Sequence, residues 1–179
     1  MATLRFVTAS DLVSLAIRGG EMGFWASHVE ALMPDGTLLG AHVDGGVQAR
    51  ARDYDKGQWT RELLVTPPCT ADEDAAFEAF LRSQIGKPYD LAAIGEMAIG
   101  ALTGEAPDWT QSPAWICSAL QTAALLTAGI IKGAPATVRL ATPRDVLCMC
   151  AALAPIGEPQ SLTTSVKTLA PGGFDPFKP

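Results

Sequence analysis

No apolar run in this 179-residue chain is long enough to cross a bilayer, because Gly, Pro or a charge interrupts each one first. Basic clusters are missing as well. The arginines are scattered and the net charge is −6, which argues against a surface built for nucleic-acid phosphates. No internal repeat appears. The stretch "MATLRFVTASDLV" has one arginine and no sustained apolar segment, so no secretory signal is expected. Cysteine is sparse and irregular. Cys69 follows "TPP", Cys117 opens an apolar segment, and Cys148 and Cys150 sit in "DVLCMCAAL", expected on one face of one element. That scatter reads as free thiols of a reducing compartment, without the four convergent ligands a structural zinc needs. Neither a metal nor a cofactor is expected. The expected location is cytoplasmic, or outside the cell by a route without a cleavable signal, such as a phage-like assembly. Histidine is scarcer still: the chain has two.

What is present is a globular balance. Hydrophobic residues make up 48% and charged residues 18%, enough for one domain with a sizeable core. The domain is expected over residues 1–153. Residues 154–179, rich in Pro, Gly, Ser and Thr without a period, read as an extended tail packed on the body or on a partner.

Local signals place the elements. Arg5 to Thr8 reads as a strand, followed by a helix over "DLVSLAIR" capped by Ser10 and stopped by Gly19 and Gly20. "FWASHVEALM" and "LLGAHV" form a hairpin about "PDGT", which Gly45 and Gly46 end. "WTRELLV" is a strand with Trp59, Arg61, Leu63 and Val65 on one face. "TADEDAAFEAFLRSQIG" is a helix with Thr70 and Glu73 as a capping box and Gly86 as its stop. "LAAIGEMAIGALTG" and the strongly apolar "WICSALQTAALLTAGIIKG" read as two more helices, and "ATVRLATPRDVLCMCAAL" as a late strand, a Pro-marked turn and a short element.

The chemistry-bearing residues follow from those placements. Cys117 falls in the first turn of its helix, where the positive end of the dipole favours thiolate. A thiolate enzyme needs a base, and that base needs a partner to set its tautomer. His28 and His42 lie at equal distances from the hairpin tip, so on one face they stand as cross-strand neighbours. His28 then serves Cys117 as general base, and His42, Glu30 or Asp44 orients it. Read without catalysis, Cys117 is a core thiol, Tyr89 a loop aromatic and Asp90 a helix N-cap.

The ordered pieces "SHVEALMPDGTLLGAH", "GKPYD", "WICSAL" and "TPRDVL", over roughly residues 5–150, resemble the NlpC-type papain-like cysteine amidases and peptidases. The order of histidine strand before cysteine helix is that of the circularly permuted branch, which includes YiiX-like proteins and relatives of lecithin:retinol acyltransferases. Glu30 and Ala31 follow "SHV" where that family usually has small and aromatic residues, so the outer face of the strand departs from its pattern.

The resemblance implies an α+β, papain-like fold: an antiparallel sheet or small open barrel against helices, with the nucleophile at a helix N-terminus. It implies Cys117 as nucleophile, His28 as base and His42 as third polar residue. Tyr89 would bind substrate or support the oxyanion beside the Cys117 N–H. The implied activity is amide hydrolysis through a thioester, with cell-wall peptides as the first substrate class. Lipid acyl transfer or thioester hydrolysis by the same triad, and a non-catalytic binding or assembly role, are the alternatives. An acyl groove would use residues 91–104.

Overall fold

A computed structural model describes residues 1–9, 15, 18, 23–94, 113–133, 138–153 and 163–168. The strands are β1 (Thr3–Ala9), β2 (His28–Leu32), β3 (Leu38–His42), β4 (Gly46–Arg50), β5 (Trp59–Thr66) and β6 (Thr163–Thr168). The helices are α1 (Ala71–Ser83), α2 (Cys117–Thr127) and α3 (Pro143–Ala151), with a 3-10 turn at Val138–Leu140 before α3. All pairings within the single sheet are antiparallel, in the order β4-β3-β2-β1-β5-β6. The fold is therefore α+β, an open sheet with helices against it. The helix read over "DLVSLAIR" lies almost wholly outside the described residues, as does "LAAIGEMAIGALTG" beyond Ile94.

The hairpin forms as its residues dictate. Met33 N–H donates to Thr37 O and Gly36 N–H to Met33 O, both at 2.9 Å, around a three-residue loop. Gly36 takes φ +81°, the left-handed position such a loop needs. The register Ala31↔Leu39 and Leu32↔Leu38 continues to set Glu30 opposite Gly40 and His28 opposite His42. Gly45 and Gly46 do not end the sheet here; they turn the chain into β4, a third strand of the meander.

Alternation divides the sheet. Leu4 and Phe6 of β1, Val29 and Ala31 of β2, Leu39 and Ala41 of β3, and Leu63 and Val65 of β5 are buried against Phe77 and Leu81 of α1 and Leu120, Ala124 and Leu125 of α2. Fully burying each Leu or Phe side chain contributes about 1.5–3 kcal/mol. A bulge at Thr8–Ala9 breaks the alternation at the start of β5. Trp59 thus stands 5.6 Å from the Arg5 guanidinium rather than in the core with Leu63 and Val65.

The other face carries polar residues: Arg5 of β1, His28 and Glu30 of β2, His42 of β3 and Glu62 of β5. The connection from β4 to β5 covers it, since the chain must cross β3, β2 and β1 between these two strands. Tyr54 and Asp55 of that crossing reach Glu30 and Arg5.

Three more expectations change. Residues 138–140 form a 3-10 turn instead of a late strand, and β6 occupies the sheet position beside β5. The apolar helix stops at Thr127 because Gly129, at φ +77°, closes a Schellman cap, with Ile130 N–H on Leu125 O and Gly129 N–H on Leu126 O. Cys148 and Cys150 do not share a face. They lie two residues apart on α3, where a helix turns by about 200°, leaving Cys148 exposed and Cys150 in the core. Within the stretch read as a tail, β6 pairs along β5 from Thr163↔Thr66 to Thr168↔Arg61.

Candidate active site

Helix α2 begins at Cys117, and its N-cap is Ile116, which offers no side-chain acceptor. Helices α1 and α3 both close their N-termini with capping boxes, Thr70–Glu73 and Thr142–Asp145. The first N–H groups of α2 therefore have no side-chain cap, and they stand beside the thiol. The helix is pinned to the sheet by fully buried Gln121, whose Nε2 donates to Leu39 O at 3.1 Å. That bond sets Cys117, one turn earlier, against the β2 end of the hairpin.

The Cys117 thiol is buried and close enough to the His28 ring for each to shift the other's proton affinity. The backbone N–H groups of Val29 and Ser118 also favour its thiolate form. Burial pushes the thiol pKa up, but the His28 charge and these N–H groups outweigh it and bring it below the usual thiol range. For His28, burial opposes protonation, while the Cys117 thiolate and then Glu30 favour it, with a net rise to about 10. Each group thus favours the charged form of the other, an imidazolium beside a thiolate.

His28 Nε2 lies 3.6 Å from Glu30 Oε2, and His42 Nε2 lies 3.7 Å from the same oxygen. Both separations are too long for a formed hydrogen bond, and neither nitrogen has another partner among the described residues. The two rings are 5.1 Å apart between centroids and tilted by 41°, so the strands bring them together without joining them. The carboxylate, rather than the second imidazole, faces His28 Nε2, leaving Nδ1 for the sulfur. Asp44 is turned away in an exposed pair with Arg50. His42 is nearly fully buried, and burial and the neighbouring His28 charge hold it neutral, with its pKa down to about 3.

Glu30 is itself held from below. Arg5, 1% exposed, donates from Nη1 to Glu30 Oε1 at 2.6 Å, from Nε to Glu62 Oε1 at 2.6 Å and to both oxygens of Asp55. Tyr54 OH stands 3.4 Å from Glu30 Oε2. Burial raises the Glu30 pKa, but His28 and then Arg5 lower it further, to about 2. Gly40 makes room opposite: a Cβ there would sit 2.9 Å from Glu30 Cβ.

Tyr89 belongs to the segment that ties the meander to the cysteine helix. Gly46, at φ +72°, lets the start of β4 approach this segment, and Val47 exchanges backbone hydrogen bonds with Gly86 and Lys87. Trp115 N–H donates to Pro88 O and Asp90 N–H to Trp115 O, which seats Tyr89 beside the residue two before Cys117. Asp90 caps the next turn by accepting from Ala93 N–H, and it pairs with Arg139.

No family model and no curated protein matches the sequence. A crystal structure described as metalloprotein yiiX from Escherichia coli O157:H7 superposes with a TM-score of 0.53, covering 94% of this chain and 97% of that one. The fold is that of yiiX. Sequence identity over the match is 14%, so the likeness to yiiX is one of architecture. On this yiiX-like frame, Cys117, His28 and His42 converge although they come from three elements. Arg5, Tyr54, Asp55 and Glu62 beneath them were not read from the sequence. For Arg5 and Glu62 the one signal is a charge on an otherwise apolar strand; Tyr54 and Asp55, in the connection from β4 to β5, leave none. Among the described residues no helix is long and apolar enough to cross a membrane.

Proposed function

We propose that the protein is a cysteine-nucleophile acyl-transfer enzyme, an amide hydrolase. The observation that carries this reading is the buried Cys117 thiol, at a helix start without a side-chain cap, paired with a histidine that a held carboxylate faces. The Cys117 thiolate attacks the substrate carbonyl carbon, forming C–S as the C=O π pair moves to oxygen. The N–H of Cys117 meets that oxyanion. Collapse restores C=O and breaks C–N, and His28 gives its proton to the departing amine. Water then attacks the thioester and gives a proton to His28, C–S breaks, and the thiolate returns. Glu30 keeps the ring oriented through both steps, and Tyr89 borders the substrate side. Peptide amides of cell-wall type are the first substrates to test, by the family resemblance.

The test is alkylation by iodoacetamide near pH 6, followed residue by residue, with hydrolysis of peptide amides in parallel. Cys117 should react at least about tenfold faster than Cys69, as a paired thiolate does, and Cys117→Ala should abolish turnover. Equal labelling of the two cysteines overturns the reading.

A second reading has a specific observation behind it. The neighbour yiiX is described as a metalloprotein, and His28, Glu30 and His42 offer one donor atom each within 4.8 Å of one another. Two imidazoles and a carboxylate suit a borderline divalent ion such as zinc.

A further inference from the structure

The hydrolase reading uses Cys117, His28 and Glu30 and leaves His42 without a task. His42 is 6% exposed, its Nε2 has no partner among the described residues, and that nitrogen lies 3.7 Å from the oxygen His28 faces. A buried polar atom left unsatisfied costs about 1–3 kcal/mol, so an unpartnered imidazole aimed at a second one calls for a ligand between them. The separations fit an ion. Donors about 2.1 Å from a tetrahedral centre stand about 3.4 Å apart, against the 3.6 Å and 3.7 Å found from the two nitrogens to Glu30 Oε2.

Charge points the same way. Beneath the site, two guanidinium groups, Arg5 and Arg52, face three carboxylates, Glu30, Asp55 and Glu62. One negative charge remains, next to the imidazoles. Arg5 occupies Glu30 Oε1 and turns Oε2 toward the histidines, as an outer partner orients a ligating carboxylate. The site lies near the surface, since the His28 side chain keeps 17% of its surface exposed although its Nε2 is covered.

We propose that His28, Glu30 and His42 bind a divalent first-row transition-metal ion of the zinc type, and that its occupation switches the Cys117 chemistry off. The metal site stands on the donor geometry alone; the switch rests on the hydrolase reading. An ion on His28 Nε2 takes the lone pair that faces Glu30 and leaves the other ring nitrogen, Nδ1, holding the only ring proton; giving that proton up would leave an imidazolate, so a ring that binds metal no longer passes a proton to and from the substrate. Glu30 Oε2 is shared in the same way. The occupied site and the working site are mutually exclusive states of one carboxylate and one imidazole.

The experiment uses the full chain stripped with a chelator and titrated with Co²⁺. The expected result is saturable tetrahedral d–d absorption at one ion per chain, displaced by Zn²⁺ and weakened at least about tenfold in His42→Gln. X-ray absorption of the zinc-loaded wild type, which needs no variant, should give a first shell with two imidazoles and oxygen. The rate of Cys117-dependent hydrolysis should fall on adding Zn²⁺ and recover with chelator. Unchanged Co²⁺ affinity in a folded His42→Gln chain, or a shell with fewer than two imidazoles, overturns the site. Full hydrolysis with the site loaded overturns the switch. A metal-free Cys117 no more reactive than Cys69 instead defeats the hydrolase reading and leaves the titration standing, so the two failures are distinguishable.

Discussion

At the residue scale, the site depends on two charges that stabilise each other inside the fold. Cys117 alone would be raised by burial, and His28 alone would be lowered; together each shifts the other toward its charged form. This sets the pH dependence. His28 keeps its proton up to about 10, and its charge brings the Cys117 thiol below the ordinary thiol range. Alkylation of Cys117 should therefore depend on pH less steeply in the wild type than in a chain without the His28 charge. In His28→Gln the Cys117 profile should steepen, because the charge that favours the thiolate is gone. A steep wild-type profile would mean that no ion pair forms. Glu30 shows how such a carboxylate is kept charged when buried: Arg5 and His28 sit on opposite oxygens, so neither oxygen is abandoned in low dielectric.

At the scale of elements, position comes from a few backbone contacts. Gly46 is the sharpest. Its φ is +72°, and a Cβ there would fall 2.2 Å from Lys87 O, which belongs to the segment that seats Tyr89. Gly57 has a similar φ of +84° with nothing within 4 Å, and so it isolates the backbone cost. Gly57→Ala should lower stability by about 1–2 kcal/mol, the price of a left-handed alanine. Gly46→Ala should cost more, because the 86–90 segment must also move, and should slow peptide-amide turnover while Gly57→Ala does not. Urea midpoints and turnover of the two variants, measured side by side, check this; equal effects would mean that the segment is not held by β4.

At the scale of the whole molecule, acid should loosen the fold early. The unfolded His42 takes up a proton near pH 6.5, whereas the folded one resists until about pH 3. Between those values the unfolded chain binds more protons, so stability falls as pH falls. Glu30 adds a loss in the same direction as pH drops from 4.5 toward 2. His28 and Cys117 largely cancel between pH 6.5 and 9, since the folded pair has only moved a proton from sulfur to nitrogen. The urea midpoint should thus be level from pH 7 to 8 and clearly lower at pH 5. A midpoint at pH 5 equal to that at pH 7 would mean that His42 is not buried in its neutral form.

Much of this was written in local sequence. Thr70 with Glu73, the Pro34–Gly36 turn and the apolar run after Cys117 are signals within a few residues, and each formed its element. Strand β4 and the length of α2 were not legible in the same way. The five residues of "GVQAR" become a strand only because β3 offers an open edge, and Gly129 could be read as an interior residue until its cap was seen.

The sequence by itself determined which residues are chemically capable and which are opposed: a thiol at a helix start, and two imidazoles equidistant from a turn whose residues set the register. Tertiary structure decided what those imidazoles face. The crossing from β4 to β5 buries the polar side of the sheet and brings Asp55 to Arg5, and Arg5 in turn fixes Glu30 between His28 and His42. Contacts between residues 25 to 57 positions apart leave no local pattern, because each partner is selected by the shared low-dielectric space and not by its neighbours in the chain.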